Sequence, residues 1–149
     1  MKFLCDRMLG TLAKWLRIYG FDTFFATDET DDDELIDIAK KEHRVLITRD
    51  KDLIHISRRE NLKVIKINYI EVKDQIKQVL KDTKIRKENV LTRCLVCNSL
   101  LENIDKKEVK DKIPPGAFQI NDEFWICKKC NKIYWKGSHY DNMLEKINL

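Results

Sequence analysis

Residues 2–26 read KFLCDRMLGTLAKWLRIYGFDTFFA, and the apolar spacing changes twice within them. KFLC (2–5) is a short apolar run closed by Asp6, the pattern of a buried strand. From Leu9 the spacing becomes helical: Leu9, Leu12, Ala13, Leu16 and Tyr19 fall on one face. Gly20 follows as a natural stop, because glycine readily takes the left-handed conformation that ends helices. DTFFA (22–26) returns to a strand. A strand, a helix and a strand in close succession make a βαβ unit, whose two strands run parallel.

The same alternation continues downstream. An acidic run, Asp28, Glu29 and Asp31 to Glu34, leads into Leu35, Ile36, Ile38 and Ala39. A helix therefore starts inside the run, where negative charge suits the helix dipole. VLIT (45–48) is a third strand, closed by Arg49 and Asp50; residues 51–59 form a short helix on Leu53, Ile54 and Ile56. VIKI (64–67) is a fourth strand, and Val72, Ile76, Val79 and Leu80 mark a further helix. The order predicts an α/β fold, a parallel sheet with helices on both faces.

The 149 residues are 43% hydrophobic and 36% charged, which excludes general disorder and a membrane protein. No apolar run approaches the ~20 residues of a spanning helix, and Lys2, Asp6 and Arg7 interrupt any signal sequence. The net charge of +4 is mild, and all of it lies after Leu80, before which the charges balance. The polar stretch 81–91, KDTKIRKENVL, reads as a junction between a first domain over 1–83 and a second over 92–149.

Five cysteines are present. Cys5 stands alone in an apolar strand and reads as a core residue. Cys94/Cys97 and Cys127/Cys130 are two C-x₂-C knuckles, each able to hold one side of a tetrahedral Zn²⁺. Four thiolates close the coordination shell, so the expected role is structural, and the free thiols point to a reducing, cytoplasmic setting. The insertion between the knuckles contains Pro114, Pro115 and Gly116, read as a turn. A closing helix is expected over 138–147, carrying Met143, Leu144 and Ile147.

Asp6 and Asp50 each follow a parallel strand and so share the sheet edge where ligands of such sheets sit. Asp32 lies at a helix start, and Asp52 is two residues past Asp50. Converging carboxylates repel one another and favour a hard cation, Mg²⁺ or Mn²⁺. Such an ion supports phosphodiester hydrolysis. The alternative is structural: strand-end and helix-start aspartates that satisfy backbone N–H groups. His43, His55 and His139 are far apart in sequence and read as surface or packing residues. Lys14 and Arg17, spaced i, i+3 on the first helix, offer contacts to backbone phosphates or a solvated face.

Four stretches in series, KFLCDRMLGTLAKWLRIYGFDT (2–23), DDDELIDIAKKEHRVLITRDKDL (31–53), TRCLVCNSLLE (92–102) and CKKCNKIYWKGSHYDNM (127–143), resemble the Mut-seven C-terminal ribonuclease domain family. The resemblance implies a PIN-like nuclease domain with a small C-terminal zinc ribbon, and a metal-dependent ribonuclease activity on RNA. On the family pattern Asp6 matches the acid that closes the first strand. Asp32 matches the acid of the helix start, Asp50 the acid of the T-R-D motif, and Asp52 the acid after it. Cys94, Cys97, Cys127 and Cys130 match the ribbon ligands. Arg7 stands where the family more often has Gly and is placed to pair with Asp6. The rival reading is a non-catalytic zinc-ribbon module that binds nucleic acid. Lys128, Lys129, Lys132 and Lys136 beside Tyr134 and Trp135 would give it charge and stacking surface. A phosphatase or receiver is disfavoured, because Asp6-Arg7-Met8 is not D-x-D and no Gly-rich phosphate loop exists.

Overall fold

The computed structural model describes residues 1–145; Ile147 lies outside the described residues. Strands β1 (Lys2–Cys5), β2 (Asp22–Phe25), β3 (Val45–Thr48) and β4 (Val64–Lys66) form a parallel sheet in the order β2-β1-β3-β4. Helices α1 (Gly10–Ile18), α2 (Asp32–Lys41), α3 (Lys51–Arg59) and α4 (Val72–Val79) alternate with the strands. No helix among the described residues is long and apolar enough to cross a membrane.

Strand periodicity divides the side chains between two cores. Phe3, Cys5 and Ile47 point to one face, where they meet Leu12, Leu16 and Tyr19 of the α1 segment and Ile76 and Val79 of α4. Leu4 and Leu46 point to the other, against Leu35 and Ala39 of α2 and Leu53 of α3. Burial of the sheet on both faces explains why its strands read as unbroken apolar runs. At the amino ends of the strands, the buried Arg44 closes the structure. Its Nη1 donates to the carbonyls of Phe3 (3.1 Å) and Asp22 (3.2 Å) and to Asp22 Oδ1 (2.7 Å).

The second part is a three-stranded antiparallel sheet of β5 (Glu102–Ile104), β6 (Phe124–Ile126) and β7 (Ile133–Tyr134). Between β5 and β6 lie α5 (Lys106–Val109) and α6 (Pro115–Ile120); α7 (Ser138–Glu145) follows β7. Helix α6 corrects the expected Pro-Pro-Gly turn. Pro114 is its N-cap residue and Pro115 its first residue, the position where the missing N–H of proline costs nothing and its fixed φ favours the helix.

The junction packs closely on the first core. Val90 and Leu91 are buried with it, and Leu91 N donates to Ile18 O at 2.8 Å. Gly20, after α1, has φ +87°, and a Cβ there would lie 2.2 Å from Asn89 O. Gly20→Ala is therefore expected to destabilise the chain by more than the ~1–3 kcal/mol of backbone strain alone. Urea denaturation measures this; a loss below ~1 kcal/mol would show that the junction moves aside.

Candidate active edge and cysteine centre

Asp6 emerges from β1 beside the end of β3, and its N–H donates to Ile47 O at 3.0 Å. The Thr48 hydroxyl, fully buried, donates to Asp6 Oδ2 at 2.8 Å and accepts from Asp50 N at 3.0 Å. One hydroxyl thus links both strand-end aspartates. Asp6 Oδ1 accepts from Arg7 N at 2.7 Å and lies 4.0 Å from Arg7 Nε. Asp50 Oδ1 caps α3, accepting from Leu53 N at 2.8 Å. The N-terminus of α2 follows the carboxyl end of β2, which puts Asp32 at the same edge.

The charges there act on one another. The carboxyl of Asp32 is pushed above its ordinary value, first by burial, then by the negative charges of Asp50 and Asp6, against the opposing pull of Arg7. Asp52 sits exposed in the first turn of α3, and the leading charges on Asp32 are those of Asp50, Asp6, Arg7 and Asp31. Thr48 was not among the residues expected from sequence. Its signal was present: it is the one polar residue of VLIT and closes that strand, two positions before Asp50.

At the other centre, the Sγ atoms of Cys94, Cys97, Cys127 and Cys130 all lie within 4.8 Å of one another. Among the described residues no three carboxylates converge as closely. Soft thiol donors in this span suit Zn²⁺, whose ~2.3 Å bonds to sulfur set comparable tetrahedral edges, so the cluster could hold zinc. Backbone turns aim the thiols inward. Asn98 and Asn131, each following a knuckle, take positive φ, and their N–H groups donate to Cys94 O (3.0 Å) and Cys127 O (2.7 Å). Burial raises the Cys97 thiol, but hydrogen bonds with Ser99, Cys130 and Cys127 together outweigh it and bring the thiol down to about 6. A thiolate ready at near-neutral pH is what a metal ligand needs. Tyr134 OH lies 3.2 Å from Cys94 Sγ and accepts from Leu95 N at 3.1 Å.

Two residues expected at an RNA surface lie elsewhere. Arg17 is buried, and its guanidinium donates to Thr23 O (3.0 Å), Leu95 O (2.8 Å) and Val96 O (3.1 Å). It ties the first knuckle to the sheet and has no face for phosphate. Tyr134 is buried beneath the cysteines, so it offers no stacking surface. Lys14, Lys129 and Lys132 are exposed. Lys128 is exposed as well, and it pairs with Glu102 at 2.8 Å.

A family model described as the Mut7-C RNAse domain matches residues 1–147. No curated protein matches the chain.

Two outcomes follow from this geometry. A carboxyl held above its ordinary value binds its proton more tightly in the folded state, so its ionisation destabilises the fold as pH rises. Without divalent ions, Asp32→Asn is expected to be at least as stable as the wild type at pH 7. That difference should close as pH falls toward the ordinary carboxyl range, about 4. A variant clearly less stable at pH 7 would show that the helix dipole outweighs the repulsion. For the cysteines, elemental analysis of untagged protein should find about one zinc per chain. Cys127→Ser should lose it and open residues 92–136 first in hydrogen exchange, because metal binding there is folding energy. Zinc-free wild type with the same exchange pattern as loaded protein would refute this.

Proposed function

Because the chain belongs to the Mut7-C RNAse domain family, we propose that it is a metal-dependent ribonuclease working at the carboxyl edge of its parallel sheet. Asp6, Asp32 and Asp50 are the residues that would hold Mg²⁺ or Mn²⁺. The observation that carries this reading is the shared edge: the Thr48 hydroxyl links Asp6 to Asp50, and the charges of both raise the Asp32 carboxyl, a repulsion that a bound cation would relieve. An all-carboxylate donor set also suits these hard ions rather than zinc. Bound there, Mg²⁺ or Mn²⁺ would supply charge neutralisation for the phosphate and an activated water.

The chain's own residues orient the site. Thr48 fixes the Asp6 carboxylate and the backbone of Asp50 at once. Arg7 reaches from Asp6 to Thr30 O at 3.3 Å, holding the loop before α2 against the edge. Asp52, exposed in the first turn of α3, acts at most on the outer side of the site. The cysteine centre, loaded with zinc, stiffens the ribbon, whose exposed Lys129 and Lys132 together with Lys14 on α1 would engage the RNA backbone.

Metal-dependent cleavage of labelled RNA tests the reading. Asp50→Asn is expected to cut at least ~100-fold more slowly. Its metal-free stability should stay within ~0.5 kcal/mol of wild type, because Asn caps a helix as well as Asp. It should also lose most of the stabilisation that Mn²⁺ gives the wild type, whereas Asp52→Asn should keep most of the cleavage. RNA left intact by wild type with either ion, or cut equally by Asp50→Asn, would sink the nuclease reading and favour the non-catalytic binding module.

A further inference from the structure

A groove of about 530 Å³ lies between α6 and the last ribbon strand, sharing no residue with the carboxylate edge. This volume is in the range of small-ligand sites, about 300–1,000 Å³. Ala117, Ile120 and Asn121 form one wall; Lys132, Ile133 and Trp135 form the other. The groove exists because of the insertion between the knuckles: a plain ribbon would have the second wall only.

Three features narrow its occupant. The first is a flat aromatic face. Trp135 lines the groove beside Gly137, where a Cβ would come within 3.3 Å of the indole Nε1, so the glycine leaves room for the ring. Facing it is apolar surface left open to solvent: Ile120 is 83% exposed. The second is a cation on a fixed mount. Lys132 O accepts from Cys127 N at 2.9 Å, and its ammonium sits 5.6 Å from the centre of the Tyr134 ring. Tyr134 is in turn anchored on Cys94 Sγ. The third is charge: the groove is lined by Lys132 and His139 and by no carboxylate. An apolar slot with one aromatic wall and a placed cation matches a base with its attached phosphate, since every base has a face that stacks.

We propose that this groove is a nucleotide subsite of the ribbon, in which one base of single-stranded RNA stacks on Trp135 against α6 and the adjoining phosphate meets Lys132. The assignment rests on the reading of the chain as a protein that acts on RNA, and it names where that RNA is held away from the cleaving edge.

The test measures binding of a labelled single-stranded oligoribonucleotide by fluorescence anisotropy, using zinc-loaded full chain carrying Asp50→Asn to prevent cleavage. Adding Trp135→Leu should weaken binding about 5- to 150-fold, the worth of one stacked base. Trp135→Phe, which keeps a stacking face, should restore most of it. Lys132→Ala, an exposed change that leaves the ribbon intact, should flatten the slope of log K against log salt by about 0.7. Affinity unchanged by Trp135→Leu, together with an unchanged slope in Lys132→Ala, overturns the proposal and leaves the groove to a protein partner. Loss of affinity in Trp135→Leu that Phe does not restore also overturns it, since packing and not stacking was then removed. The two readings separate cleanly. In the background with Asp50 intact, Trp135→Leu should cleave sub-saturating RNA more slowly, by the same factor as its loss of affinity. A chain that binds RNA through Trp135 yet cleaves nothing keeps the subsite and loses the nuclease.

Discussion

The pairing of β1 with β3 governs the rest of the molecule. Phe3, Leu4 and Cys5 align with Val45, Leu46 and Ile47, and their side chains pass alternately into two different cores. A slip of one residue would send each of them to the wrong core, and each fully buried leucine or phenylalanine contributes about 1.5–3 kcal/mol. The register is therefore held from both faces. It also fixes the next step along the chain, because Asp6 continues the ladder with its N–H on Ile47 O. The distance between the two strand-end aspartates is thus set by the sheet and by Thr48, not by a loop.

At that edge the structural and chemical roles of an aspartate coexist. Asp6 and Asp50 each spend one carboxylate oxygen on a backbone N–H, that of Arg7 and that of Leu53 respectively. These bonds pin the carboxylates without neutralising them. Arg7 pulls the Asp32 carboxyl down, while burial and the charges of Asp50, Asp6 and Asp31 push it up, and the upward push prevails. The three carboxyls thereby meet where the ends of two strands and a helix start converge.

The strands and the helices around the parallel sheet were legible because their apolar periods are clean and their ends are marked, Gly20 most clearly. Two of the chemistry-bearing placements were also legible, the double knuckle from its spacing and the strand-end acids from their position. What was misread failed for local reasons. Pro115 looked like a turn residue because proline breaks helix interiors, yet the first helical position tolerates it. Arg17 looked like a partner of Lys14 on a wet face. The competing signal was its i+4 spacing from Ala13, which carries it onto the buried side of α1, where three carbonyls accept its charge. Tyr134 and Trp135 are neighbours in sequence, but the alternation of a strand sends one inward to the cysteines and leaves the other at the groove. The side of the sheet reached by Asp32 depended on the path of residues 27–31, which no periodicity encodes.

A parallel sheet of four strands has two open flanks, and here they are closed by different means. The β4 flank is three residues long and bordered by Lys63 and Lys66, a short, charged border that discourages further strand addition. On the β2 flank, Thr23 N–H donates to Asn98 Oδ1 at 3.0 Å and Asn98 Nδ2 donates to Asp22 Oδ1 at 2.8 Å. The first cysteine knuckle therefore occupies the place of a fifth strand. Cutting the chain after residue 91 would expose an unsatisfied strand border and strip Arg17 of two of its carbonyl partners at the same time. The ribbon thus covers that strand border, and an N-terminal fragment made without it would offer the border for pairing with another chain.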